Sequence, residues 1–231
     1  MLFKKKNKFI HVAIDGPAGA GKTKVGILVA SKLGITYLST GKIFRTYAYA
    51  LKDIDCHNKT DVWNEIKQFK FEFIDGKFFV NGLDVSMDIM GDTHSMNASL
   101  ISSYPFVRKK YRKDLKKIIK SMSLVMDGRD IGTVIIPQTP FKFFLTAELP
   151  VRTQRRAKEL HMDKNTKDYA ELMENIKKRD HQDTTRKDSP LKKAKDAVLI
   201  QSDDMSAEEV ANFICDHVNK VRETWKWKKL Q

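Results

Sequence analysis

Cysteine is scarce in this sequence: Cys56 and Cys215 are the two in 231 residues, far apart and without paired spacing. That excludes a disulfide framework and a cysteine-based zinc site, and it suits a reducing compartment. Long apolar runs are missing too, and none approaches the roughly 18 residues of a membrane span. The basic start MLFKKKNK leads into only a short apolar run with no small-residue cleavage site. No signal peptide is therefore expected, and the chain reads as cytoplasmic. Internal repeats are absent, as are low-complexity segments beyond the lysine clusters. Acidic residues are outnumbered, 29 against 43 basic, for a net charge of +14. Such a balance favours an anionic partner: nucleic acid, a membrane surface or a phosphorylated small molecule. Most of the lysines fit a plain solvated surface.

What is present suits a folded chain. The hydrophobic fraction is 41% and the aromatic fraction 10%, enough for one substantial core carrying small inserted lobes. The apolar run FIHVAI (9–14) ends at Asp15-Gly16-Pro17, as a strand buried on both faces would. Over 22–33, Val25, Leu28, Val29 and Leu33 recur at helical spacing, and Gly34 closes the helix. Further strands are expected at SLVMD (123–127), FKFFLT (141–146) and AVLIQS (197–202). A basic helical stretch (107–120) precedes the first, and an arginine-rich stretch from Val151 follows the second. The last strand leads into a helix opening with Ser206 and Glu209 at capping-box spacing. Its expected buried stripe is Val210, Phe213, Ile214, Val218 and Val221, with Cys215 in the core and Trp225 and Trp227 packing at a frayed end. Alternating strands and helices predict an α/β fold with a parallel sheet. FKFEFIDGKFFVNGLDVS (69–86) interrupts the alternation, and its Asp75-Gly76 predicts a β-hairpin with a type I′ turn.

Gly16-Pro17-Ala18-Gly19-Ala20-Gly21-Lys22-Thr23 satisfies the phosphate-loop pattern G-x-x-x-x-G-K-[ST]. Its glycines let backbone N–H groups turn inward around phosphates, and the following helix N-terminus adds partial positive charge. Lys22 is placed to bridge β- and γ-phosphates, and the Thr23 hydroxyl to ligate Mg²⁺ directly or through water. A GTPase switch is disfavoured. Asn58-Lys59-Thr60-Asp61 mimics a guanine-reading motif, but the Asp-x-x-Gly at 88–91 follows it instead of preceding it, and the segment before Asn58 is polar. Arg45, Arg108, Arg129, Arg179 and Arg186 lie at separated places near turns or element ends. Each alone suits a surface ion pair, but together they match the charge that phosphoryl transfer between two nucleotides brings together. No His-Asp pair is evident as a general base, which weakly favours a phosphate acceptor over a hydroxyl.

Several motifs stand in one order: IDGPAGAGKT, YLSTGKIFR, the hairpin region, NASLISSYPFVR, DGRDIGTVIIP and IKKRDHQDTTRKDSPL. In these the chain resembles bacterial-type cytidylate kinases, P-loop nucleoside monophosphate kinases, from about Phe9 to Trp225. The resemblance implies that Thr40 and Gly41 open the acceptor lobe and that Arg45, Arg129 and Arg186 grip the acceptor phosphate. It implies that Ser99, Arg108 and Asp130 read the cytosine edge, and that Arg179 and Asp183 lie near the sugar. Asp127 matches an acidic residue near Mg²⁺, although a capping or structural role fits it equally. The segment RDHQDTTR departs from the arginine-rich family pattern at Gln182 and Thr184, which leaves the lid's grip on the donor phosphates open. Arg152, Arg155 and Arg156 are candidates to assist, with at least two of them expected on a solvated helix face. Thr23-Lys24 also departs from many relatives, but Thr23 keeps the hydroxyl.

The expectation is thus an α/β P-loop kinase with a five-stranded parallel core (1–38, 105–149 and 191–231), strands near Phe9, Thr36, Leu124, Phe141 and Ala197. A lobe binding the nucleoside monophosphate and carrying the hairpin spans 39–104, and a helical lid spans 150–190. ATP and Mg²⁺ are the implied cofactors, with Gly16 to Lys24 holding ATP. CMP and dCMP are the implied acceptors. A monomer is expected, with no specific nucleic-acid or membrane partner. Another P-loop small-molecule kinase, for UMP or a different nucleotide, stays open, as does a basic RNA-binding ATPase. The latter lacks an aromatic-rich RNA signature.

Overall fold

The computed structural model describes residues 9–90 and 94–227, with side chains as far as Glu223. The basic start, Gly91 of the guanine-motif comparison, and the side chains of Trp225 and Trp227 lie outside the described residues. In chain order the elements are β1 (His11–Asp15), α1 (Lys22–Leu33), β2 (Thr36–Ser39), α2 (Thr40–Ala50) and α3 (Lys59–Glu65). Then come β3 (Phe71–Ile74), β4 (Lys77–Val80), β5 (Leu83–Asp84), α4 (Ser95–Ile101) and α5 (Pro105–Ile119). β6 (Leu124–Gly128), a π-helical turn (Ile131–Ile135), β7 (Phe141–Thr146), α6 (Leu149–Glu159), α7 (Lys167–Thr185), β8 (Val198–Gln201) and α8 (Ala207–Trp227) complete the chain. No helix among the described residues is long and apolar enough to cross a membrane.

The chain divides into two compact units, one built on Leu38–Leu124, the other on His11–Tyr37 and the residues from Val125 onward. The expected five-stranded sheet has the order β2-β6-β1-β7-β8. β1 pairs in parallel with β7, Val12 opposite Phe141, and β7 pairs in parallel with β8. Every residue of β1 and β6 is buried, as central strands covered on both faces require. β8, at the edge, leaves Leu199 54% exposed while burying Ile200.

α1 follows the glycine loop and passes very close to β2. A Cβ on Gly26 would lie 2.5 Å from Tyr37 Cε2, so only hydrogen fits. Gly26→Ala is expected to lower stability by about 1–3 kcal/mol, because the Tyr37 ring must leave its place. An unchanged thermal midpoint in a melting experiment would show that the ring has room.

The capping box at α8 forms as expected. Glu209 N–H donates to Ser206 Oγ at 3.2 Å, and Ser206 N–H to Glu209 Oε2 at 2.7 Å. The stripe differs: Val210, Ala211, Ile214, Cys215 and Val218 are buried, while Phe213 is 45% exposed. At 100° per residue the pairs 210/211 and 214/215 share one face with 218, which turns Phe213 toward solvent.

The first unit contains the hairpin. Asp75 and Gly76 have φ of 51° and 80°, the paired left-handed residues of a type I′ turn. Phe73 stands opposite Phe78. A second turn at Asn81-Gly82 (φ 52° and 83°) adds β5, so the hairpin is a three-stranded meander. The core of this unit centres on Tyr47, whose hydroxyl donates to Asp114 Oδ2 at 2.7 Å and whose ring meets Phe69 and Phe71 edge-on.

Candidate active site

The phosphate loop leaves the end of β1, and its entry is set by backbone contact. A Cβ on Gly16 would lie 1.9 Å from the Leu145 carbonyl oxygen, so any side chain there would push β7 away. Lys22, the first residue of α1, is buried and donates from Nζ to the Pro17 carbonyl at 2.5 Å. Its cation is thereby held inside the loop. Burial lowers its pKa well below the ordinary lysine value; Arg129 and Arg179 push the same way, and Asp127 and Asp183 oppose them. Asp127 lies in β6, Arg129 just after it, and Arg179 and Asp183 in α7, so the fold gathers both signs of charge at the loop.

Thr23 Oγ1 lies 3.5 Å from Asp127 Oδ2, and Tyr37 donates to Asp127 Oδ1 at 2.9 Å. Among the described residues no group of three or more His, Cys, Asp or Glu could hold a metal. A hydroxyl and a carboxylate side by side nevertheless fit Mg²⁺, which keeps several waters and takes few protein oxygens. Tyr37, which orients that carboxylate, carries no motif signal beyond its place at the head of YLSTGKIFR.

Arg129 and Arg186 meet on one carboxylate. Arg129 Nε donates to Asp183 Oδ2 at 2.6 Å, and Arg186 Nη1 to Asp183 Oδ1 at 3.0 Å. Arg186 Nε also donates to the Ser189 carbonyl at 2.8 Å. Burial opposes the charge of Asp183, but Arg129, Arg186 and Arg179 outweigh it and hold its pKa low. Burial likewise opposes the charge of Arg129, and Asp183 with its neighbours raises that pKa on balance. Arg179, on α7, is exposed.

Asp130 is buried, and next to it sits a carboxylate that sequence reasoning passed over. Asp15, the last residue of β1, accepts from Ile131 N–H at 2.9 Å and Gly132 N–H at 2.7 Å. It thereby fixes the turn that follows Arg129 and Asp130. Burial raises its pKa from 3.8 to about 7, with Asp130 adding to the rise and the two N–H donors and Lys22 opposing it. The folded state thus binds this proton more tightly than the unfolded chain. Burial penalises the ionised form, so stability is greatest below pH 3.8 and is lost as pH rises through about 7, where the buried carboxyl must give up its proton. A carboxyl NMR titration of Asp15 is expected to show a midpoint of about 7; a midpoint in the ordinary carboxylate range would contradict this account.

The remaining candidates belong to the first unit. Thr40 is buried at the start of α2, with Gly41 exposed beside it and Arg45 half-buried one turn on. Arg108, in α5, is 1% exposed and donates from Nη1 to the Ser102 carbonyl at 3.2 Å. Its guanidinium stands 5.7 Å from the ring centroids of both Phe44 and Tyr111, within cation–π range. Ser99 lies half-buried on α4, and its carbonyl accepts from Ser102 Oγ at 2.7 Å.

The α6 arginines correct an expectation. Arg156 pairs with Glu159 near the surface, but Arg152 is buried and donates to the Ala147 and Ala18 carbonyls, each at 2.8 Å. Arg155 donates to Ser202 Oγ and to the Ser202 carbonyl just after β8. A guanidinium satisfies several carbonyls at once, so two of the three are structural where a solvated face was expected.

A glycine loop between a buried parallel strand and a helix, with a lysine held inside it and guanidinium groups beside it, defines a P-loop nucleotide-binding protein. The cytidylate kinase family model matches residues 12–220. A cytidylate kinase of Clostridium tetani is 44% identical over 89% of this chain and 92% of its own. One of Thermosipho africanus is 42% identical over 90% and 94%. The chain belongs to the cytidylate kinase family. Among solved structures, an uncharacterized protein from Eubacterium ventriosum aligns over 92% of this chain and 99% of its own, with a TM-score of 0.51 at 15% identity, a likeness of fold alone.

Proposed function

We propose that this protein transfers the γ-phosphoryl group of ATP to CMP and dCMP, forming CDP and dCDP. The observation that carries the reading is the geometry at the phosphate loop: Lys22 Nζ donates to the Pro17 carbonyl inside the loop, and Arg129 and Arg186 converge on the Asp183 carboxylate. Residues Gly16 to Lys24 hold the ATP phosphates through backbone N–H groups and the Lys22 ammonium. Thr23 and Asp127 hold Mg²⁺, which when bound neutralises charge on the phosphate oxygens. Arg129 and Arg186, with Arg45, orient the acceptor phosphate, whose oxygen is already anionic near neutral pH and needs no general base. Thr40 and Gly41 open the acceptor lobe (39–104). Ser99, Arg108 and Asp130 read the N4 amino donor and the N3 and O2 acceptors of cytosine, while Arg179 and Asp183 serve the sugar. The 150–190 segment acts as a lid that excludes water, over a core of 1–38, 105–149 and 191–231. The protein works as a cytoplasmic monomer.

Acceptor profiling in a coupled assay tests this. CMP and dCMP are expected to turn over at least about tenfold more efficiently than UMP or AMP, since a site built around one base edge rejects the others. Equal efficiencies would remove the cytidine assignment and leave a less selective nucleotide kinase.

A further inference from the structure

Ala18, the third residue of the phosphate loop, is held from outside by two helices. Its N–H donates to Asp180 Oδ1 at 2.9 Å, and its carbonyl accepts from Arg152 Nη1 at 2.8 Å. Arg152 Nη1 also donates to Asp180 Oδ2, which closes a ring of one peptide, one guanidinium and one carboxylate. The ring is anchored at α6, because Arg152 Nε donates to the Ala147 carbonyl at 2.8 Å. It is well shielded, the side chains of Arg152 and Asp180 being 10% and 18% exposed. Packing agrees: a Cβ on Gly19 would lie 3.0 Å from the Arg152 carbonyl oxygen. The loop therefore has no slack against α6 at its outer side.

A phosphate loop binds by aiming several N–H groups at one point, so a small rotation of its peptides disperses the donors. A backbone bent to that shape needs support from its far side. The ring supplies it: a charged acceptor takes the one N–H, and a charged donor takes the carbonyl of the same residue. Asp180 lies inside the motif RDHQDTTR, three residues before Asp183, yet it reaches the opposite partner. Asp183 bridges Arg129 and Arg186, whereas Asp180 grips the loop.

We propose that Asp180 is a positioning residue for the donor nucleotide: from α7, with Arg152, it holds Ala18 so that the phosphate loop keeps its ATP-binding shape. This rests on the reading of the loop as the ATP site. It makes ATP affinity depend on a residue that touches no phosphate.

The test is calorimetric binding of ATP and, separately, of CMP to the full chain, for the wild type, Asp180→Ala and Asp180→Asn. Asp180→Ala is expected to weaken ATP about tenfold while CMP changes less than about twofold, the loss following from the charge-assisted bonds removed. Asp180→Asn keeps an oxygen for the Ala18 N–H but loses the charge facing Arg152, so an intermediate loss is expected. It also serves if the alanine variant fails to fold. A residue that only supports the fold would lower the melting temperature and leave ATP affinity in place. Unchanged ATP affinity in a folded variant, or equal weakening of ATP and CMP, overturns the proposal. Failure of the wild type to bind ATP overturns the functional reading first, and the proposal with it.

Discussion

Lys22→Ala is expected to reduce turnover by about 10²–10³-fold, the usual loss when one preorganised charge donor is removed from a transition state. The side chain is buried in the loop and tied to Pro17, so its removal takes away the cation held at that point of the loop. The same burial makes the ammonium uncomfortable. Its pKa lies well below the ordinary value, first through desolvation and then through Arg129. A lowered pKa means that the folded state holds this proton less tightly than the unfolded chain, so the charge opposes stability at neutral pH. Removing it should leave the melting temperature unchanged or raised. Steady-state kinetics beside a thermal melt would separate the two effects. Activity within a few-fold of wild type would contradict the role of Lys22, and collapse of the melt would contradict the account of its strain.

Asp130→Ala should act on the other substrate. Asp130 is 3% exposed, so in the proposed role the cytosine amino group bound to it would be desolvated as well. Losing such a partner leaves a buried donor unmet, and the KM for CMP is expected to rise about 10²-fold while that for ATP stays within about twofold. A second effect follows from its neighbour. Asp130 contributes to the raised pKa of Asp15, so the Asp15 titration midpoint should fall in this variant. Equal losses for CMP and ATP would count against a base-reading role. An unmoved Asp15 midpoint would count against the electrostatic contact.

These predictions draw unequally on sequence and structure. The loop from Gly16 to Thr23 is legible because its donors, its lysine and its hydroxyl lie within eight consecutive residues and act through their own backbone. The I′ turn at Asp75-Gly76 and the Ser206–Glu209 box are legible for the same reason, since each closes over a few residues. The family motifs add Asp183 and the arginines as candidates, but not that Arg129 and Arg186 share one carboxylate.

By itself, then, the order of residues determined the class of fold, the donor loop and the family, because those signals are local bonds and short periodicities. Tertiary structure alone decided what each charge answers to. Asp15 meets its two N–H donors 116 and 117 residues away, and Asp180 meets Ala18 across 162 residues. It also decided which face of α8 is buried, and that Arg152 and Arg155 serve carbonyls in place of water. No spacing along a chain encodes a contact over such separations; it exists only once the sheet and helices have packed and left one nearby partner for each buried polar group.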